Sequence, residues 1–351
     1  MSDKQHIPYS TTLEDLSIED KIGQMLMVGF EGISLSEGIA ELIIKYRIGG
    51  VILFSHNIET PGQINMLCHQ LQECARSAGH KAPLFISVDQ EGGRVSRLKP
   101  PFPQFPGSGE LGAKGSEELV ESNARAIGKE LQRIGINLNF APVLDVNTNP
   151  QNPVIGDRAF GADPDIVSCL GVAAIKGFQK SGIIPAGKHF PGHGDTSADS
   201  HKELPMVDHG LDRIRKVELR PFSAAIESGL SAIMTAHVVY SGIDPDYPAT
   251  LSKRILQGIM REDMGYQGVI ITDDLKMNAI ADNYNFRDVV VLAVNAGADI
   301  LLVCHDREGG VRGYKELMDG VEKGSISVEK VDDSVERILK LKKSIVNPGC
   351  F

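Results

Sequence analysis

The feature that most constrains this chain is a repeated order. A short apolar run, a break and a longer amphipathic segment recur along it. The apolar runs are Met25–Phe30, Gly50–Phe54, Pro83–Val88, Asn137–Val143, Ile183–Lys188, Ala232–Ala236, Gly268–Thr272 and Asp299–Val303. They are rich in Val, Ile and Leu and do not alternate with polar residues. A strand with one wet face alternates, whereas a strand covered on both faces reads as a continuous apolar run. The runs therefore predict a parallel sheet buried under helices. Helices are predicted over Glu37–Arg47, Pro61–Ala78, Glu117–Arg133, Asp163–Lys180, Leu211–Ser228, Ser252–Met264, Arg287–Ala296, Gly310–Lys323 and Val328–Val346. The first of these carries Ile39, Leu42, Ile43 and Tyr46 at helical spacing. Ser17 followed by Asp20 resembles a capping box, with Asp in place of the usual Glu.

Repeated strand-to-helix order selects an α/β architecture. Eight strands with no linker or composition break favour one closed (β/α)₈ TIM barrel, read here as a single catalytic domain over 1–351 with an N-terminal extension. An open doubly wound sheet fits less well, because no Gly-x-Gly-x-x-Gly follows the first strand.

Charge and composition narrow the partners. The formal net charge is -10 and no Lys/Arg stripe stands out, which argues against nucleic acid or an anionic membrane. MSDKQHIPYSTTLEDLS at the N-terminus has no apolar core of a signal peptide. No apolar stretch reaches the roughly 18 residues a spanning helix needs. A soluble, cytoplasmic protein is expected. The five cysteines, Cys68, Cys74, Cys169, Cys304 and Cys350, are scattered, odd in number and without a CxxC pair. That pattern suits reduced thiols rather than a disulfide scaffold or a zinc-thiolate site.

The polar residues of most interest fall at strand ends: Asp89, Asp145, Lys188, His189, His237, Asp273 and Asp274. In a barrel these ends share one rim around one pocket. VDQEGGRVSRL places Asp89, Glu91, Arg94 and Arg97 in a tight glycine loop, suited to binding sugar hydroxyls or to pinning the loop by internal ion pairs. GDRAFG sets Arg158 beside Asp157, to meet substrate or brace the loop. KHFPGHGDTSADSH is the densest signal, with Lys188, His189, His193, Asp195, Asp199 and His201 within 14 residues. Asp199 and His201 lie two apart, so in an extended loop the carboxylate can orient the imidazole for proton transfer. Zinc binding by His189, His193, His201 and carboxylates is an alternative, although no strong metal signature is present. GVIITDDLKM ends a buried strand on two aspartates, of which one can attack an anomeric carbon while the other caps the next turn. Sequence reasoning leaves Asp273 and Asp274 unresolved.

Taken together and in this order, KIGQMLMVGF, VDQEGGRV, KHFPGHGDT with its trailing DSH, and TDDLKM resemble glycoside hydrolase family 3. The closer likeness is to its single-domain bacterial β-N-acetylglucosaminidases of peptidoglycan recycling. The resemblance implies Asp273 as nucleophile, His201 as acid/base supported by Asp199, and a sugar pocket of Asp89, Arg97, Arg158, Lys188, His189 and His237. It implies a cytoplasmic retaining enzyme that releases terminal β-linked N-acetylglucosamine from muropeptides, with no metal or cofactor. A broad family 3 β-glucosidase or β-hexosaminidase, a metal-dependent hydrolase and a non-catalytic sugar-binding barrel are the rival readings. Oligomeric state is not legible.

Overall fold

The structure is a computed structural model, described here for residues 11–304 and 307–345. Each apolar run marks a barrel strand, with the fifth strand running two residues past its expected end: β1 Leu26–Val28, β2 Gly50–Leu53, β3 Phe85–Val88, β4 Leu138–Asn139, β5 Ile184–Phe190, β6 Ala232–Thr235, β7 Val269–Ile271 and β8 Leu301–Val303. All pair in parallel, in the order β7-β6-β5-β4-β3-β2-β1-β8. The seam between β7 and β8 closes through the bridge Ile271–Ile300. There the Thr272 amide donates to the Ile300 carbonyl at 2.9 Å and the Asp299 amide donates to Ile270 at 2.8 Å. The result is a (β/α)₈ TIM barrel. Every residue of these eight strands is buried, which explains the continuous apolar runs.

The seam carries a charged staple. Asp299 is fully buried, and its carboxylate accepts from Arg261 at 2.7 Å, Arg337 at 2.9 Å and the Ile270 amide at 2.8 Å. It ties the last two strands to the two helices that flank them.

Most helices match expectation within a few residues, and Glu117–Arg133 does so at both ends. The Ser17 side chain accepts from the Asp20 amide and Asp20 reaches back to the Ser17 amide, so the shorter acid still closes a capping box. Leu211–Ser228 is not one helix but two, Leu211–Lys216 and Leu219–Glu227. The break turns Glu218 inward, where it is 2% exposed and accepts twice from Arg213. Arg254–Asp263 is wound wider than an α-helix, with i→i+5 bonding. A small sheet of Met206–Val207, Val239–Tyr240 and Asp244–Pro248 is additional. It tethers the chain that leaves the histidine-rich loop to the segment that follows β6. Val346 and Cys350 lie outside the described residues. Among those described, no helix is long and apolar enough to cross a membrane.

Candidate active site

The strand ends open into a cavity of about 480 Å³, lined among others by Asp89, Glu91, Arg97, Arg158, Lys188, His189, His193, Asp199, His201 and Asp273. That volume suits a small-molecule pocket. Asp273 and the Asp199–His201 pair, which leave from different strands, thus face one space.

Asp273 follows the end of β7. Its Oδ1 accepts from the Asp274 amide at 2.8 Å, which fixes the carboxylate. Burial opposes its ionisation, but the imidazoles of His237 and His189, that amide and the Lys188 ammonium outweigh burial and hold the carboxyl below its usual range. Asp274 does different work. Its Oδ1 accepts from the amides of Lys276 at 3.1 Å and Cys304 at 2.9 Å, so it organises the turn and links β7 to the end of β8. Geometry therefore separates two residues that the sequence could not. Cys304 is 2% exposed, and burial pushes its thiol well above the ordinary range.

Lys188, on β5, lies between Asp89 and Glu91, with Nζ 2.7 Å from each carboxylate. The Arg158 guanidinium forks onto both oxygens of Glu91 at 2.9 and 2.8 Å. Arg97 reaches Asp89 at 3.3 Å, and its buried Nε has no hydrogen-bond partner among the described residues. Arg94 takes Asp157 at 2.6 Å, which leaves Arg158 to Glu91. Burial would raise the Asp89 and Glu91 carboxyls, yet Lys188 with Arg97 and Lys188 with Arg158 hold them below their usual range. The outcome is a rigid, ionised bed of three cations and two carboxylates on one side of the cavity. Lys188 is its centre, and Glu91, placed in the loop but not among the pocket residues by the sequence reading, joins Lys188 to Arg158. The signal for Glu91 was its position two residues after Asp89.

His189 and His193 share Asp145. The His189 ring Nδ1 lies 2.7 Å from Asp145 Oδ2, and the His193 amide donates to Oδ1 at 2.7 Å. Tight backbone contact fixes the root of this loop. A Cβ on Gly194 would lie 1.9 Å from the Val146 carbonyl oxygen, so only glycine fits. The loop tip differs. Asp199 Oδ1 accepts from the His201 amide at 2.9 Å and lies 2.8 Å from His201 Nδ1. This pairing engages Nδ1 with the carboxylate and turns Nε2 away from it. Burial opposes ionisation of Asp199, but the amide and ring of His201 more than compensate and lower its pKa. The His201 side chain is 65% exposed, the most open of the expected site residues.

His237 does not line the cavity. It is 1% exposed, with Nε2 donating to the Asp274 carbonyl at 2.9 Å and Nδ1 paired with the Thr250 hydroxyl at 2.8 Å. It braces the turn that carries Asp273, because the end of β6 lies next to β7. Among the described residues, no group of three or more His, Cys, Asp or Glu is arranged to hold a metal ion.

Comparison with known proteins matches residues 17–341 to the glycosyl hydrolase family 3 N terminal domain. Beta-hexosaminidase A of Pseudoalteromonas piscicida is 40% identical over 334 residues, covering 89% of this chain and 56% of that protein. Among solved structures, a glycoside hydrolase family 3 β-N-acetylglucosaminidase from a Paenibacillus species superposes with a TM-score of 0.92 at 44% identity, over 94% of this chain and 63% of that one. A β-N-acetylhexosaminidase from Beutenbergia cavernae gives a TM-score of 0.88 at 31% identity, over 93% of this chain and 99% of that one. The chain thus spans little more than half the length of the first relative and nearly all of the last.

Proposed function

The chain belongs to glycosyl hydrolase family 3, and we propose that it is a retaining exo-β-N-acetylglucosaminidase built as one barrel domain. The observation that carries this reading is one cavity lined by an ionised aspartate, Asp273, and by a carboxylate-oriented imidazole, His201, on a separate loop. The names of the similar hexosaminidases and β-N-acetylglucosaminidases point to the sugar.

In the proposed reaction Asp273 attacks C1 of the terminal sugar while protonated His201 gives its proton to the departing aglycone oxygen. Neutral His201 then takes a proton from water, which hydrolyses the glycosyl–Asp273 ester and restores the starting anomer. The Asp89–Glu91–Lys188–Arg158–Arg97 bed holds the sugar through groups already paired and oriented, so little reorganisation accompanies binding. Release of N-acetylglucosamine from its β-1,4 link to 1,6-anhydro-N-acetylmuramic acid, with or without a stem peptide, is the substrate we favour. The free thiols Cys68, Cys74, Cys169 and Cys304 suit a reducing compartment, in keeping with a cytoplasmic role. Trapping with a 5-fluoro N-acetylglucosaminyl fluoride followed by peptide mass spectrometry tests the chemistry. A sugar on Asp273 is expected. Efficient turnover of aryl β-N-acetylglucosaminides with the label elsewhere would overturn the assignment.

A further inference from the structure

We propose that His193 is a positioning residue for the Asp199–His201 pair, acting through the hydroxyl of Ser200. This inference rests on the reaction proposed above and adds a residue to its machinery.

The dyad sits on a compact turn. The Asp199 carbonyl accepts from the amides of Lys202 at 2.8 Å and Glu203 at 3.0 Å, so Asp199, Ser200 and His201 move as one unit. Ser200, the residue between the two dyad members, joins that unit to the barrel. Its carbonyl accepts from the Ala279 amide at 3.3 Å, and its Oγ lies 3.1 Å from His193 Nε2. Both Ser200 and His193 are 2% exposed, while His201 between loop and solvent is open.

His193 is anchored as a fixed post should be. Its amide donates to Asp145 Oδ1, its carbonyl accepts from Asn152 Nδ2 at 2.8 Å, and its ring packs edge-on to His189 with centroids 5.9 Å apart. The hydrogen bonds around Thr196 assign its tautomer. The Thr196 hydroxyl donates to the His193 carbonyl at 3.1 Å and accepts from Asn152 Nδ2 at 3.1 Å. It therefore meets Nδ1 at 2.8 Å as an acceptor, which puts the ring proton on Nδ1. Nε2 is left as a buried acceptor, and the Ser200 O–H is the donor that satisfies it. Burial favours this neutral ring and lowers its pKa to about 4. A neutral, immobile acceptor at the loop root thus holds the hydroxyl of the residue that stands between the acid/base and its carboxylate in the chain. Losing that bond also leaves a buried lone pair unmet, which biases the loop tip toward the latched position.

The test is Ser200→Ala against wild type, with phenyl and 2,4-dinitrophenyl β-N-acetylglucosaminides as substrates. Phenoxide needs a proton to leave and dinitrophenoxide does not. In the variant, kcat/KM for the phenyl substrate is expected to fall about three- to tenfold, the range of one neutral hydrogen bond, while kcat/KM for the dinitrophenyl substrate holds. The ratio of the two constants is independent of the folded fraction, so partial misfolding does not obscure the result. Azide, which attacks the glycosyl-enzyme without a base, is expected to raise kcat of the variant on the dinitrophenyl substrate more than that of wild type. Equal loss on both substrates, or none on the phenyl substrate, overturns the latch. Wild-type protein that turns over neither glycoside overturns the proposed function instead.

Discussion

Replacing Glu91 with Gln removes one negative charge from the ion bed, between Lys188 and Arg158, and keeps the side chain's shape. Glu91 is 3% exposed at its side chain and faces Lys188 at 2.7 Å and the Nε and Nη2 of Arg158. The substitution leaves Arg158 without a carboxylate and Lys188 with Asp89 alone. Breaking a buried pair by removing one partner costs about 3–5 kcal/mol. Gln retains one oxygen acceptor, so the lower end, about 3 kcal/mol, applies. Unfolding entropy near 2.1 cal/mol/K per residue over a barrel this size converts that into a fall in Tm of about 4 °C. KM for an aryl β-N-acetylglucosaminide should rise with it, because Arg158 loses its fixed orientation. The pH dependence has a definite sign. The Glu91 carboxyl is held below its unfolded value of about 4.3, so its stabilisation is complete above that pH and is lost as pH falls toward the folded value. Wild type should therefore lose more stability than E91Q between about pH 4 and pH 2. Thermal denaturation at several pH values, with a double-mutant cycle adding Arg158→Met, measures both effects. In the cycle the pair of changes should cost clearly less than their sum, because the second removes the charge the first orphaned. Additive losses, or an E91Q protein with wild-type Tm and KM, would refute the idea that Glu91 holds this bed together.

Asp273→Asn should lower kcat by roughly 10⁴-fold or more and abolish covalent trapping by fluorinated reagents, with sugar binding retained in a calorimetric titration. Gly194→Ala should give little folded protein or a sharply lowered Tm, because its Cβ meets the Val146 carbonyl at 1.9 Å; wild-type stability would show that the loop root yields. Lys342 is 2% exposed, donates to Gln24 Oε1 at 2.6 Å and the Gly49 carbonyl at 2.8 Å, and burial lowers its pKa well below the ordinary range. Because the unfolded chain binds that proton more tightly, stability should rise as pH increases toward about 10. Lys342→Met should flatten that rise in denaturant melts, and an unchanged slope would assign it to other groups.

The barrel was legible because its period is coarse and its physics local. Strands buried on both faces have to be apolar throughout, so all eight apolar runs mark real strands. Helix boundaries were set by caps and prolines that can be read directly, such as Pro61 and Pro164 at the first helical position. What stayed hidden depends on distant partners. The break between Leu211–Lys216 and Leu219–Glu227 serves Glu218, whose Cβ and Cγ press against Gly192 from another loop. Two-residue strands such as Met206–Val207 have no periodicity to detect.

The site shows the same division at finer grain. Residue type and position at strand ends brought Asp89, Lys188, His189 and Asp273 to one cavity, because the barrel sends all strand ends to one rim. The Asp199–His201 pairing was anticipated from its spacing of two, but the geometry differs from the extended loop expected: the pair sits on a compact turn in which Asp199 Oδ1 accepts from the His201 amide. Both aspartates line the cavity, and which of them is committed to the turn was not legible. That choice turns on Asp274 meeting the amides of Lys276 and Cys304, and Cys304 comes from the strand that closes the barrel seam. Nor was the direction of His237, whose ring donates to the carbonyl of Asp274. Both are consequences of β6, β7 and β8 being adjacent, so the seam that completes the fold also decides how the proposed nucleophile is presented. A change that loosens the Asp299 staple, far from the cavity mouth, should therefore act on Asp273 through Asp274, because the staple and the Asp274–Cys304 contact lie at opposite ends of the same two strands.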